Sequence, residues 1–387
     1  MIPVARPFLG EEELAAVAEV FKSGWLGLGS VTYEFEEAIR ARLGCGQVVA
    51  VSSGTAALHL ALLGFGIGRG DEVIVPSLTF AASVQAIVAT GATPVFCDVR
   101  DETLLADPDD VARRVTPRTR ALMPVHYAGQ TCDMDRLLAL AERHGLVIVE
   151  DAAHAFGATS RGRPIGSFGH ATCFSFDPIK TPTCGEGGAI ALSDDGVAER
   201  LRRLRLLGID REAWKRQASE QGWAYAVTTA GYRYHLPNFC AAIGLAQLRR
   251  FDSLLERRRT IGRRYDAAFG SLGVVRPVVV DYRESAAFLY IIRLVAAQRE
   301  VFMATLKHHG VETGVHYIPN HLQPFFKPFA TAPLPRVERV WPEMVSLPLF
   351  GTMTDEDVAT VIDAVRAFDQ HASGAAIDPS SDHAIAI

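Results

Sequence analysis

A lysine in an apolar loop rich in proline and glycine is the residue of this chain best placed for covalent chemistry. Lys180 follows the run Thr172-Cys173-Phe174-Ser175-Phe176 and precedes Thr181-Pro182-Thr183-Cys184-Gly185-Glu186-Gly187-Gly188. A lysine is ordinarily a solvated surface charge. Desolvation among such neighbours lowers its pKa toward a usable nucleophile, one that forms a Schiff base with an aldehyde and later shuttles protons. Ser175, near the end of the same run, can donate a hydrogen bond to a phosphate. Asp151 ends a second apolar run, Leu146-Val147-Ile148-Val149-Glu150, and is followed by Ala152-Ala153-His154. The carboxyl edge of an open α/β sheet is the usual place for a ligand. An aspartate there fits two roles: a cap for the next helix, or an acid that keeps a pyridinium nitrogen protonated. The second property makes pyridoxal phosphate (PLP) an electron sink.

Two further runs are compatible with the same chemistry. In Val49-Ala50-Val51-Ser52-Ser53-Gly54-Thr55-Ala56-Ala57 a strand gives way to a helix opening at Gly54-Thr55. The free N–H groups and dipole of such a helix end attract anions, although an ordinary capped helix reads the same way. Phe80, after Val75-Pro76-Ser77-Leu78-Thr79, sits at a strand end where it can fill core or stack on an aromatic ring. Each run is weak by itself, and their order along the chain carries the signal. The chain has no GxxxxGK[ST] run for an ATP phosphate loop and no GxGxxG after the first strand for NAD.

These residues need a scaffold, and the hydrophobic pattern supplies one. Short apolar runs at Val48–Val51, Val73–Val75, Val95–Phe96, Leu122–Val125, Leu146–Val149, Thr172–Phe176 and Ala189–Leu192 alternate with longer helical patterns. Runs this short and apolar predict strands buried on both faces, joined by helical crossovers. The expectation is an α/β domain with a mostly parallel sheet of about seven strands over residues 1–250. Helices are predicted at Glu11–Lys22, Arg249–Phe269, Arg299–His309 and Asp355–Phe368, and a strand at Phe288–Val295. Residues 251–372 read as a smaller α+β domain. Residues 373–387, rich in Ala, Ser and Asp, have no periodic pattern and read as a disordered tail.

Taken in order, these residues closely resemble the DegT/DnrJ/EryC1/StrS family of fold-type I PLP enzymes, the sugar aminotransferases. The likeness runs from Gly24-Trp25-Leu26 to Ser346-Leu347-Pro348-Leu349-Phe350. It is dense at Thr116-Pro117-Arg118-Thr119-Arg120, Pro124-Val125-His126-Tyr127-Ala128-Gly129-Gln130 and Asp133-Met134-Asp135. The resemblance implies that Lys180 carries the cofactor as a Schiff base and Asp151 pairs with its ring nitrogen. His154 would lie near the phenolic oxygen, and Gly54, Thr55 and Ser175 match phosphate-binding positions. Phe80 matches the aromatic that stacks on the ring, and Glu186 belongs to the loop after the lysine. The family's enzymes are homodimers with shared sites. The segment involved resembles Gly231-Tyr232-Arg233-Tyr234-His235-Leu236-Pro237-Asn238, but the commoner form has Asn and Arg where this chain has Arg233 and His235. Arg233 remains a phosphate donor of suitable geometry. Around Val315-His316-Tyr317-Ile318-Pro319-Asn320-His321 the chain resembles the segment that approaches the sugar, making His316, Tyr317 and His321 substrate-contact candidates.

The expected reaction is a ping-pong transamination from L-glutamate or L-glutamine to a nucleotide-activated 4-keto- or 3-keto-6-deoxyhexose. A cyclitol ketone is the alternative acceptor. The family's 3-dehydratases replace the lysine with histidine, so Lys180 argues against that branch. A non-catalytic regulator would be expected to have lost Lys180 or Asp151, and both are present. Composition is ordinary for a soluble globular protein with a well-filled core. Over 387 residues, 49% are hydrophobic and 21% charged, and the net charge of -5 gives no sign of a nucleic-acid partner. The six cysteines (Cys45, Cys97, Cys132, Cys173, Cys184, Cys240) form no CxxC pair and read as reduced residues, with no metal site implied. No apolar stretch approaches the roughly 20 residues that span a bilayer, and no signal pattern opens the chain, so a cytoplasmic protein is expected.

Overall fold

The computed structural model describes residues 1–210 and 224–375. Its centre is a seven-stranded sheet: β1 (Gln47–Val51), β2 (Glu72–Pro76), β3 (Thr93–Cys97), β4 (Thr119–Leu122), β5 (Val147–Asp151), β8 (Ala171–Ser175) and β9 (Gly188–Leu192). Two-residue strands β6 (Thr159–Ser160) and β7 (Arg163–Pro164) form a separate hairpin. The order across the large sheet is β1-β9-β8-β5-β4-β2-β3. The pairs β8–β5–β4–β2–β3 are parallel, and β9 runs antiparallel to both of its neighbours.

The apolar runs are continuous because both faces of the sheet are covered. Val49, Val51, Ile190 and Leu192 point into a core beneath helices α3 (Gly54–Gly64) and α4 (Ala81–Ala89). Val48, Ala50, Ala189 and Ala191 point the other way, against Phe35 and Ile39 of α2 (Ser30–Leu43) and Phe251 of the long helix Asn238–Phe269. α1 (Glu11–Ser23) also packs along the long helix. A third core gathers Tyr265, Tyr290, Ile292, Phe302, Val345 and Phe368 around a small antiparallel sheet, β10 (Arg276–Pro277), β11 (Tyr290–Arg293) and β12 (Met344–Leu347).

The strands fall where the pattern places them, with two instructive shifts. The fourth was expected at Leu122–Val125 but spans Thr119–Leu122. Pro124 has no N–H to donate to a ladder, and beyond it only an isolated bridge from Val125 to Asp151 continues the pairing. The strand expected at Phe288–Val295 shortens to Tyr290–Arg293, because the N–H groups of Phe288 and Leu289 both turn to the carbonyl of Ala128. Two helices run longer than the periodicity suggested. The long one starts at Asn238, directly after Pro237, and the last spans Asp355–Ala375, as no proline follows before Pro379. The remainder of the tail expected to be disordered lies outside the described residues. All six cysteines are free. No helix among the described residues is long and apolar enough to cross a membrane.

The β8–β9 hairpin fixes the loop at residues 176–187. Ser175 pairs with Gly188, Phe176 N–H donates to Gly187 O at 2.8 Å, and Cys184 N–H donates to Phe176 O at 2.9 Å. Gly188 is demanded by contact: a Cβ there would lie 2.4 Å from Ser53 O and 2.8 Å from Gly54 N, which are backbone atoms with nowhere to go. We expect Gly188→Ala to cost about 1–3 kcal/mol of stability through this overpacking. Thermal melting checks it, and an unchanged melting temperature would show that the Ser53–Gly54 turn yields freely.

Candidate active site

The carboxyl ends of β1, β5 and β8 open into a cavity of about 270 Å³. Most of the residues singled out in the sequence line it: Gly54, Thr55 and Ser175 at one end, Asp151, His154 and Lys180 beside them, and Phe80, His316, Tyr317 and Glu186 around the rest. A larger cavity, about 410 Å³, lies between α1 and the long helix. Its walls include Val20, Trp25 and Leu245, and it gathers no amine and carboxylate of the kind that exchange protons, so the chemistry belongs to the smaller one.

At the anion-binding end, Ser53 caps α3 by accepting a hydrogen bond from Ala56 N–H at 3.1 Å. Gly54 is required by close approach, since a Cβ there would sit 2.8 Å from Ser175 Cβ and 3.1 Å from its Oγ. The end of β8 therefore closes directly against the first turn of α3, where the helix N–H groups lack intrahelical partners.

Asp151 is buried, 5% exposed. Its Oδ2 accepts from Ser83 Oγ at 2.6 Å and its Oδ1 from Ala153 N–H at 3.1 Å. Burial pushes the carboxyl up from the usual range, against the pull of these two donors and of Lys180. Burial lowers the Lys180 ammonium to about 8, with Asp177 and Asp151 opposing the shift and Arg258 adding to it. The amine lies 4.2 Å from the centre of the Phe288 ring. The loop bends at Asp177, whose Oδ1 accepts from Ile179 N–H and whose carbonyl accepts from Lys180 N–H.

His154 stacks on Phe288 with ring centroids 4.1 Å apart. Its Nε2 lies 3.2 Å from Tyr317 Oη, while its buried Nδ1 has no partner. Burial, then Lys180, pushes its pKa well below the ordinary value, so the imidazole is neutral and one ring nitrogen is left for a ligand. Phe80 is 57% exposed, 5.3 Å from the Tyr317 ring, and borders the open side. Burial raises the Glu186 carboxyl, and Asp177 adds to the effect.

Two expected residues are not brought to this cavity. Arg233 is exposed, on a segment bridged to Leu206. His321 is buried elsewhere, its Nδ1 2.7 Å from Ser77 Oγ and its Nε2 3.3 Å from Glu338, and within this chain it faces no open space of the site. The sequence reading gave no role to Ser83, Asp177, Phe288 or Arg258. Ser83 had a signal, lying three residues past Phe80 where the helix α4 begins; Phe288 and Arg258 had none, being far away along the chain.

His316 donates to or accepts from Ser346 Oγ at 2.9 Å, and burial together with Lys180 takes its pKa to about 4. The unfolded chain binds this proton near its ordinary value of 6.5, and the folded one resists it. Its contribution to stability is thus complete above about pH 6.5 and is lost as pH falls toward 4, by up to about 3 kcal/mol. His316→Asn should flatten the acid side of the stability curve between those limits. Melting temperatures of both proteins from pH 7 to pH 4 check it, and parallel curves would mean that His316 titrates normally.

Residues 7–366 match the DegT/DnrJ/EryC1/StrS aminotransferase family. The spore coat polysaccharide biosynthesis protein SpsC of Bacillus subtilis is 41% identical over 374 residues, which cover 94% of this chain and 96% of SpsC. Among solved structures, Spr1654 of Streptococcus pneumoniae in its PMP-form superimposes with a TM-score of 0.91 at 31% identity, over 96% of this chain and 100% of that one. The sugar aminotransferase CalS13 from Micromonospora echinospora gives 0.87 at 34% identity, over 95% and 100%. The α/β architecture with its mostly parallel seven-stranded sheet is common to this chain and these structures. With the cavity's partly buried amine and buried carboxylate, the match places the chain in the DegT/DnrJ/EryC1/StrS aminotransferase family, and the protein is an aminotransferase.

Proposed function

We propose that this aminotransferase moves an amino group from L-glutamate or L-glutamine to a keto-sugar of the nucleotide-activated 4-keto- or 3-keto-6-deoxyhexose class. Its cofactor is pyridoxal 5'-phosphate. The observation that carries the reading is the shared cavity in which Lys180, an amine lowered to about 8, and Asp151, a buried carboxylate, both face the same space.

The residues fit that cofactor. Gly54, Thr55 and Ser175 form an anion cradle that a Cβ on Gly54 would fill, and His154 Nδ1 is a buried polar atom without a partner. When bound, the cofactor supplies an aldehyde for amines and an electron-withdrawing ring. Asp151, fixed by Ser83 and Ala153, holds a proton at the ring nitrogen. Lys180, lowered to about 8, is neutral in part near pH 7–8 and so can act as nucleophile toward an aldehyde; released, it would carry the proton of the 1,3-shift between the two carbons flanking the substrate nitrogen, as base and then acid. Phe288 and His154 keep water from the amine on one side. The same reading divides the chain near residue 250, with residues 251–372 supplying His316 and Tyr317 to the cavity, and it sets the enzyme in the cytoplasm.

The name of CalS13 as a sugar aminotransferase and that of SpsC as a polysaccharide biosynthesis protein support the sugar acceptor. Lys180→Ala should abolish turnover while leaving the fold intact; full activity in that variant would sink the assignment. In absorbance, added PLP should give a visible band that fades with L-glutamate. A panel of keto-sugars and keto-cyclitols then decides the acceptor, and turnover of the cyclitols alone would replace the sugar reading.

We also propose a homodimer with shared sites. Among the described residues, Lys180 is the one cation lining the cavity, too little for a phosphate dianion, and Arg233 stands exposed with a fork suited to phosphate. If Arg233 acts across the interface, Lys180→Ala and Arg233→Ala chains, each inactive, should recover about a quarter of wild-type activity when mixed and reassembled, because half the dimers then hold one intact site. No recovery would place Arg233 within its own chain's function.

A further inference from the structure

Arg258, in the long helix, is 3% exposed. Its guanidinium donates to three neutral acceptors: Nε to Ala287 O at 2.9 Å, Nη1 to Thr181 Oγ1 at 2.7 Å and Nη2 to Phe288 O at 2.6 Å. The other fully buried arginine among the described residues, Arg205, is matched by an acid, Glu36. No carboxylate among the described residues forms an ion pair with Arg258. Burial takes its pKa only to about 10, so it stays charged at neutral pH. A buried cation without a counter-ion is destabilising. This one lies 5.5 Å from the centre of the Phe288 ring, the same ring that Lys180 Nζ approaches to 4.2 Å.

We propose that Arg258 is a positioning residue for Lys180: it ties the lysine loop, through Thr181, to the Ala287–Phe288 turn, and its uncancelled charge favours the neutral, reactive amine. Like charges in a region of low dielectric repel strongly. The other groups facing the amine divide by sign. Asp177 and Asp151 favour its charged form, whereas His154 and His316 are held neutral by burial and the nearby Lys180, and so contribute little charge. Arg258 is therefore the fixed positive charge that opposes the two aspartates. The hydrogen bonds make the arrangement rigid, because one planar fork fixes atoms from residues 181, 287 and 288 at once.

The inference rests on the reading of Lys180 as the reactive amine, but its test measures only the basicity of that amine, so either can fail without the other. The full-length chain, stripped of cofactor, is labelled competitively with acetic anhydride from about pH 6 to pH 11, and the Lys180 peptide is quantified by mass spectrometry. In Arg258→Gln the half-labelling pH should rise by about half a unit, an approximately three-fold loss of labelling at pH 7.5. In Arg258→Lys, which keeps the charge and loses the fork, it should stay near the wild-type value. A wild-type profile in R258Q overturns the proposal, as does an equal rise in both variants, which would make the effect one of packing alone. Should R258Q fail to fold, R258K decides: an unchanged midpoint supports the charge, and a rise of about half a unit overturns it.

Discussion

Lys180 and Asp151 are both withdrawn from water inside one cavity, and neither charge is comfortable there. Burial raises the acid and lowers the amine, so each moves toward its neutral form, while their mutual attraction pulls the other way. That opposition leaves the amine poised to exchange protons near neutral pH. The rest of the site serves to hold it: Ser83 and the Ala153 N–H settle the carboxylate, and the β8–β9 hairpin delivers the lysine loop to the same edge that ends in Asp151. An all-parallel sheet would carry the chain away from that edge after β8. Running β9 antiparallel keeps residues 176–187 above the carboxylate.

The opposite wall comes from the C-terminal part of the chain and is tied down by backbone hydrogen bonds. Phe288 N–H and Leu289 N–H reach Ala128 O, and Ala286 N–H reaches Gly129 O. Asn320 Nδ2 donates to the carbonyls of Ser77 and Thr79, just ahead of Phe80. Tyr127 Oη donates to the carbonyl of His316. The loops after β2 and β4 thus act as anchor points for the wall that carries His316, Tyr317 and Phe288. The shape of the cavity depends on these ties as much as on the strands beneath it.

The sheet was legible because strands buried on both faces leave continuous apolar runs, and because Lys180, Asp151 and Gly54 sit at the ends of such runs. Their expected roles came from the family resemblance that the order of the motifs carries, which no single run supplied. What the sequence hid is what folding brings from afar. Phe288 reads as the start of a strand, and Arg258 as one of several arginines on a charged helix; only packing shows that both flank the lysine. The end of the fourth strand was misjudged because apolar character outweighed the missing donor of Pro124. His321 was a candidate contact because its segment resembles the one that approaches the sugar; within this chain its ring lies against Ser77 and Glu338.

The first residues of the chain are fastened to segments more than 300 residues away. Ile2 N–H donates to Gly310 O at 2.7 Å, Glu312 N–H returns to Ile2 O at 2.9 Å, and Leu349 N–H reaches Val4 O. During synthesis the amino end therefore emerges long before its partners exist. It must wait, unpaired, while the large sheet assembles behind it, and contacts of such sequence separation form late and slowly. This seam therefore holds some of the contacts of largest sequence separation in the fold.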